Sequence, residues 1–164
     1  MRKLLTSLLL LCSCVLAARA QTRTYSDNAS NTFVFGLESY FFGSAGSLEF
    51  SVADTPVRVS LEDGAVSVDG QALESGPGDT VIGVHEFTGD QQPELVVARR
   101  TDAAVEARVY RLAGPAWELI GEMSAPEGRE IRIFRQVVSI RGGDALHVWT
   151  WHKSRFDYKT STPR

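Results

Sequence analysis

Apolar and polar positions alternate along most of the chain. Leu48, Phe50 and Val52 are spaced by polar residues, and Val57, Val59 and Leu61 repeat the spacing, as do Val66 and Val68. Successive side chains of a strand point to opposite faces, so each set would line one buried face. Asp63-Gly64 and Asp69-Gly70 punctuate these runs, and Asp-Gly supplies the positive φ of a tight hairpin. Asp54-Thr55-Pro56 reads as another turn. A Gly/Pro/Ser break spans Glu74 to Asp79. Beyond it, strands are expected at Val81–Phe87, Leu95–Arg99, Val105–Leu112 and Trp117–Met123. Asp102 followed by Ala103, Ala104, Glu106 and Ala107 could open a helix. The alternation of Val105, Ala107 and Val109 with Glu106, Arg108 and Tyr110 favours a strand instead. Glu130–Arg141 and Asp144–Ser154 read as a last pair across Gly142-Gly143.

No stretch sustains a 3.6-residue apolar period, so little or no helix is expected. The fold class is all-β: antiparallel meander strands built as propeller-like blades or a β-sandwich. Three units can be drawn, Phe33–Leu73, Val81–Met123 and Glu130–Lys159, without residue-for-residue match between them. A closed propeller takes ~4–8 blades, so three units would form a compact sandwich or assemble as copies.

The first twenty residues change the composition. Arg2 and Lys3 precede an apolar run from Leu4 to Ala17, and Ala18-Arg19-Ala20 is a small-x-small cleavage site. Residues 1–20 therefore read as a signal peptide and 21–32 as a polar, flexible leader. A single domain is expected over 33–160, with a tail at 161–164. The run is too short for a bilayer-spanning helix, which needs ~20 apolar residues, so the mature chain is expected to carry no membrane span. A lipoprotein reading would use Cys14, but Val15, Leu16, Ala17 and Ala18 stay apolar where a tether is usually polar. Cleavage at Ala20 removes both cysteines, leaving no disulfide and no thiol nucleophile. The protein is expected in the periplasm or the medium. Asn28-Ala29-Ser30 fits a glycosylation sequon, which matters only in a eukaryotic secretory route. Residues 21–96 hold twelve acids against Arg23 and Arg58, whereas 97–164 hold eight acids against twelve bases. An acidic chain of this kind is not expected to bind nucleic acid.

The segment Val84–Ala98 carries the one motif with a name. Glu86, Thr88 and Asp90 alternate around Gly89, Glu94 follows Pro93, and the apolar run Leu95–Ala98 comes next. It resembles the calcium-loop repeat of FG-GAP or VCBS-type β-propeller blades, over about residues 81–123. The resemblance implies that Glu86, Thr88, Asp90 and Glu94 are the metal positions, that Val109–Leu112 and Trp117–Ile120 close the blade, and that the role is adhesive or partner-binding. Calcium takes ~6–8 oxygen ligands on a tightly curled loop. Gln91 stands where the pattern has glycine and is expected to resist positive φ. No resident cofactor is therefore expected; calcium is the one candidate, with weak or absent binding favoured over a strong site.

In a strand, His147, Trp149 and Trp151 share one face, and Val148, Thr150 and His152 the other. With Arg155, the first three are the candidate partner surface, since exposed Trp could stack on sugar rings. The competing reading makes the two Trp core. Phe33, Phe35, Tyr40, Phe41 and Phe42 read as core or edge packing, and Arg99-Arg100, Arg129, Arg132, Arg135 and Arg141 as solvated strand faces. There is no G-x-S-x-G elbow and no H-E-x-x-H helix. The expectation is an exported, non-enzymatic binding or structural module recognising an envelope protein or glycan. The alternative is a cell-wall or polysaccharide hydrolase using the loop acids or a site centred on His147.

Overall fold

The computed structural model describes residues 22–24, 31–34 and 45–162. The signal segment, Cys14, the sequon and Phe35–Phe42 lie outside them. Among the described residues every regular element is a strand. Two short strands come first, β1 (Thr22–Thr24) and β2 (Asn31–Val34). Both touch the segment that reads as a flexible leader.

Three four-stranded meanders follow. Sheet I contains β3 (Ala45–Val52), β4 (Thr55–Glu62), β5 (Ala65–Val68) and β6 (Gln71–Ser75), with β1 parallel to β3 on its edge. Sheet II contains β7 (Asp79–His85), β8 (Glu94–Arg100), β9 (Ala104–Ala113) and β10 (Ala116–Pro126). Sheet III contains β11 (Gly128–Phe134), β12 (Val137–Gly142), β13 (Ala145–His152) and β14 (Arg155–Ser161), with β2 antiparallel to β11.

The turns explain the meanders. Asp63-Gly64 and Asp69-Gly70 have positive φ at both residues, the twist that joins adjacent antiparallel strands without splaying them. The first turn is Ala53-Asp54, also positive at both residues, and Thr55-Pro56 already belong to β4. The third unit holds four strands where the alternation gives two. Glu130–Arg141 is broken at Arg135-Gln136, with Arg135 at φ 52°, and a further turn at Lys153 (φ 62°) adds β14.

The sheets stack face to face in three layers, one more than a sandwich. Sheet II lies in the middle, and its side chains sort by parity. Val96 and Ala98 of β8 face a core shared with Ile131, Ile133, Val138 and Ile140 of sheet III. Leu95 and Val97 of the same strand face a second core, shared with Leu48, Val59, Leu61 and Val66 of sheet I. This explains the unbroken apolar runs Val81–Val84 and Leu95–Ala98, since a sheet covered on both faces needs no polar side. Sheets I and III keep one polar face each, so their strands show the period-2 pattern seen in the sequence. Each core side chain removed from water contributes about 1.5–3 kcal/mol.

Sheets II and III are joined almost without a loop. β10 runs into β11 through Glu127 alone, at φ 51°. Gly128 pairs with Gly142 across β11 and β12 at this corner. A Cβ on Gly142 would lie 2.2 Å from the Pro126 carbonyl oxygen, a backbone atom that cannot swing aside. Gly142→Ala is therefore expected to destabilise the protein by about 3 kcal/mol or more in urea unfolding, in the upper range for overpacking. Gly114 sits at φ 63°, with nothing within 4 Å of the position a Cβ would take. Its substitution by Ala should lose only about 1–2 kcal/mol, the backbone cost alone.

Candidate functional site

The motif loop connects β7 to β8 at one end of the stack. Two bonds from this hairpin tie it to the corresponding turns of the neighbouring sheets. The Ala53 N–H donates to Gln92 Oε1 at 2.5 Å, reaching the β3–β4 turn. His85 Nε2 donates to the Arg135 carbonyl at 2.6 Å, reaching the β11–β12 turn. The first hairpin turns of all three sheets thus meet in one surface. It exposes Asp54, Asp90, Gln91 and Arg135, and beside Arg135 the Phe134 ring is 60% exposed with the guanidinium carbon 5.2 Å from its centroid. Sequence reasoning misses this pair, because nothing marks Arg135 as a turn residue.

Within the loop, the acids at the candidate metal positions bond to the loop itself. The Gly89 N–H donates to Glu86, and the Gln92 N–H donates to Asp90 Oδ1 at 2.8 Å. Glu94 accepts from the Phe87 N–H at 2.7 Å and from the Thr88 hydroxyl at 2.9 Å. Gln91 does adopt the left-handed conformation, at φ 66°, against the expectation from its side chain. The bonds on either side of it close the curl. Among the described residues no three His, Cys, Asp or Glu side chains gather as a group able to hold a metal ion. The four positions are near one another along the loop, where one oxygen each of Glu86 and Asp90 and both oxygens of Glu94 accept from loop donors.

Glu94 is fully buried, and so is Phe87. Phe87 plugs the core between sheets II and III, edge-on to Phe156 with centroids 5.4 Å apart. Glu94 therefore acts as the clip that holds Phe87 in place. Burial pushes its carboxyl up to about 7, against the Phe87 and Thr88 hydrogen bonds that lower it. Burial also lowers the pKa of His85.

The candidate partner surface divides. His147, Trp149 and Trp151 turn inward, at 9%, 6% and 5% exposure, and the two Trp belong to the core between sheets II and III. β13 faces sheet II with this side, and the sheet covers it. His147 Nδ1 shares a hydrogen bond of 2.8 Å with the Tyr158 hydroxyl, and Tyr158 lies 5.0 Å from Trp149. Arg155 is exposed, paired with Asp157 at 2.9 Å. The structure does not bring it to the Trp face, since it stands opposite His152 on the outward side of the sheet.

Arg99 is a further correction. It is 5% exposed, not solvated. Its guanidinium donates to Glu74 Oε1 at 3.1 and 3.0 Å, to the carbonyls of Gly64 and Gly76 at 2.8 and 3.0 Å, and to Thr80 Oγ1 at 2.7 Å. The Tyr110 hydroxyl donates to the other Glu74 oxygen, and burial with that bond raises the Tyr110 pKa. This cluster joins sheet I to sheet II. Every bond in it is internal, so it is a clamp and not an open site.

No known protein family, curated protein or solved structure matches the chain.

Two outcomes follow from the loop. Glu94 has a folded pKa above its ordinary 4.5, so the folded state holds more protons than the unfolded one between about pH 4.5 and 7. Stability contributed by this group falls as pH rises through that window. His85 works the opposite way below its ordinary 6.5, so the comparison is made against the wild type. Glu94→Gln should be more stable than wild type near pH 8, by at most about 3 kcal/mol, with no such gain near pH 5. Urea unfolding at the two pH values measures it. The second outcome concerns calcium: a loop closed by its own N–H groups should melt within about 1 °C in calcium and in chelator, whereas a ligand of the native state would raise the midpoint.

Proposed function

We propose that this chain is an exported, non-enzymatic binding or structural module that recognises an envelope protein or a glycan. The observation that supports this is the joined surface of three hairpin turns. Its positions are fixed by the Gln92–Ala53 and His85–Arg135 bonds, so it is presented ready-made and little ordering cost falls on binding. Phe134 beside Arg135 offers an apolar ring and a cation together, a combination that suits the C–H face and the hydroxyl or carboxylate groups of a sugar, or an aromatic anchor of a partner. The flanking Asp54 and Asp90 would set orientation.

The hydrolase alternative draws no support from Glu94, whose side chain has no exposed surface and is held by Phe87 and Thr88. Glu86, Asp90 and His147 are the acids and base that would remain for it.

The test uses soluble cell-wall glycan fragments as the probe, titrated into the mature protein and followed by NMR. Phe134→Ala with Arg135→Ala should weaken binding at least tenfold while the melting temperature holds, because both side chains are exposed. Product release from the fragments, abolished by Glu86→Gln or His147→Ala, would replace the binding reading with the enzymatic one.

A further inference from the structure

The charge of the molecule is sorted along the stack. The sheet I unit (residues 45–75) holds six acids and one base, and the sheet II unit (79–126) eight acids and four bases. The sheet III unit (128–162) holds three acids and seven bases. The two end sheets therefore carry opposite net charge, and each has one face that no other sheet covers among the described residues.

Those two faces differ in relief as well. On sheet I the outward positions of β3, β4 and β5 include Glu49, Arg58, Ser60, Glu62 and Ser67, whereas Ser47, on the same face opposite Ser60, is buried. Glu49 is opposite Arg58, and Ser60 is opposite Ser67. Ser60 and Ser67 are short, and Glu49 pairs only loosely with Arg58, at 3.9 Å. On sheet III, Arg132 stands opposite Ser139, Ser139 opposite Val148, and Val148 opposite Lys159. Arg141 stands opposite Leu146 in the next row. Arg132, Ser139, Arg141 and Leu146, with Glu130, line a shallow depression of about 190 Å³. Arg132 pairs with Glu130. Arg141 and Lys159 are exposed and have no ion-pair partner among the described residues.

We propose that the outward face of sheet I in one copy docks on the outward face of sheet III in a second copy, head to tail. The chain already shows that these meanders stack face to face, twice over. Glu49 and Glu62 are the acids on the outward face of sheet I, with serines between them, and the long cations of sheet III reach across to them. Half-buried Leu146 and Val148 supply the apolar centre between the cations. Contact of like with like would set Glu49 and Glu62 against their own copies or the sheet III cations against theirs, which disfavours the isologous contact of one face with itself and selects the heterologous one. Two copies closing on each other would make a ring of six sheets; failing closure, the contact propagates as a chain. This inference concerns the sheet faces; Phe134, on the same face of β11 as Arg132, borders both surfaces, and the charge reversals below leave it in place.

Sedimentation velocity of the full mature chain tests it, at low and high salt over a concentration series. At low salt the weight-average mass should at least double with rising concentration, and high salt should return it to the monomer. The triple variant Arg132→Glu, Arg141→Glu, Lys159→Glu and the double variant Glu49→Lys, Glu62→Lys should each stay monomeric, with strand content by circular dichroism confirming the fold. Mixing the two should restore association, because each then meets a face of opposite sign. Wild type that stays monomeric at low salt overturns the proposal, as does association that survives either set of reversals, or a mixture that fails to associate. A monomeric wild type that instead binds an anionic oligosaccharide, lost in the triple variant, would assign the sheet III face to that occupant and also overturn it.

Discussion

The middle sheet is apolar on both sides, and the architecture depends on that constraint. Ile82, Val84, Leu95 and Val97 face one way and Val81, Val96, Ala98, Val105 and Val109 the other. Sheet II alone would expose two hydrophobic surfaces, so it exists only with a cover on each. Sheets I and III supply the covers, and their remaining faces carry the polar positions of their alternating strands. The domain gains its stability without disulfides among the described residues because two cores share one sheet.

What the sequence makes legible follows from how each sheet meets water. Sheets I and III alternate, and their period-2 pattern exposes β3, β4, β5 and β13 directly. The Asp-Gly pairs locate two of the turns in sheet I, since both residues readily adopt positive φ. The pattern fails where turns are made by residues with no such signature. Arg135 and Lys153 sit at positive φ in sequences with no Gly, Pro, Asn or Asp at the turn itself, and so a four-stranded sheet reads as two long segments. The unbroken runs of β7 and β8 identify strands but not that both faces are covered, because a short apolar run carries no periodicity. Arg99 reads as solvated because Glu74 and the carbonyls of Gly64 and Gly76 lie far from it along the chain. Separation in sequence hides such a contact.

The motif loop shows the same limit at the level of a site. Its acids are legible, and their spacing leads to the resemblance. Their orientation is not. Glu86, Asp90 and Glu94 each accept a backbone N–H from within the loop, and this network does for the curl what a cation or a glycine does elsewhere. Gln91 at φ 66° bears the strain, and the anchoring of Phe87 in the core compensates for it. Trp149 and Trp151 reverse the case: alternation correctly places them on one face of β13, but the side on which the neighbouring sheet lies is a property of the fold alone.

The Arg99 clamp explains why an otherwise apolar contact between sheets I and II has one register. Val, Leu and Ile surfaces on two facing sheets pack almost as well after a slip of one residue pair along the strands. Arg99 does not. Its guanidinium is satisfied only where Glu74, Gly64, Gly76 and Thr80 all reach it. A slip would carry Arg99, with Tyr110 and Arg108 of the same sheet, away from Glu74 and from the Gly64 carbonyl, at a cost of about 3–5 kcal/mol for an uncompensated buried charge. Desolvating the pair returns little net stability when it is made, but breaking it is expensive. The clamp therefore contributes by excluding the alternatives, and it holds the β4–β5 turn and the sheet I–sheet II link against β8. With that register fixed, the β3–β4 turn arrives beside Gln92, and the three hairpin turns can meet in a single surface.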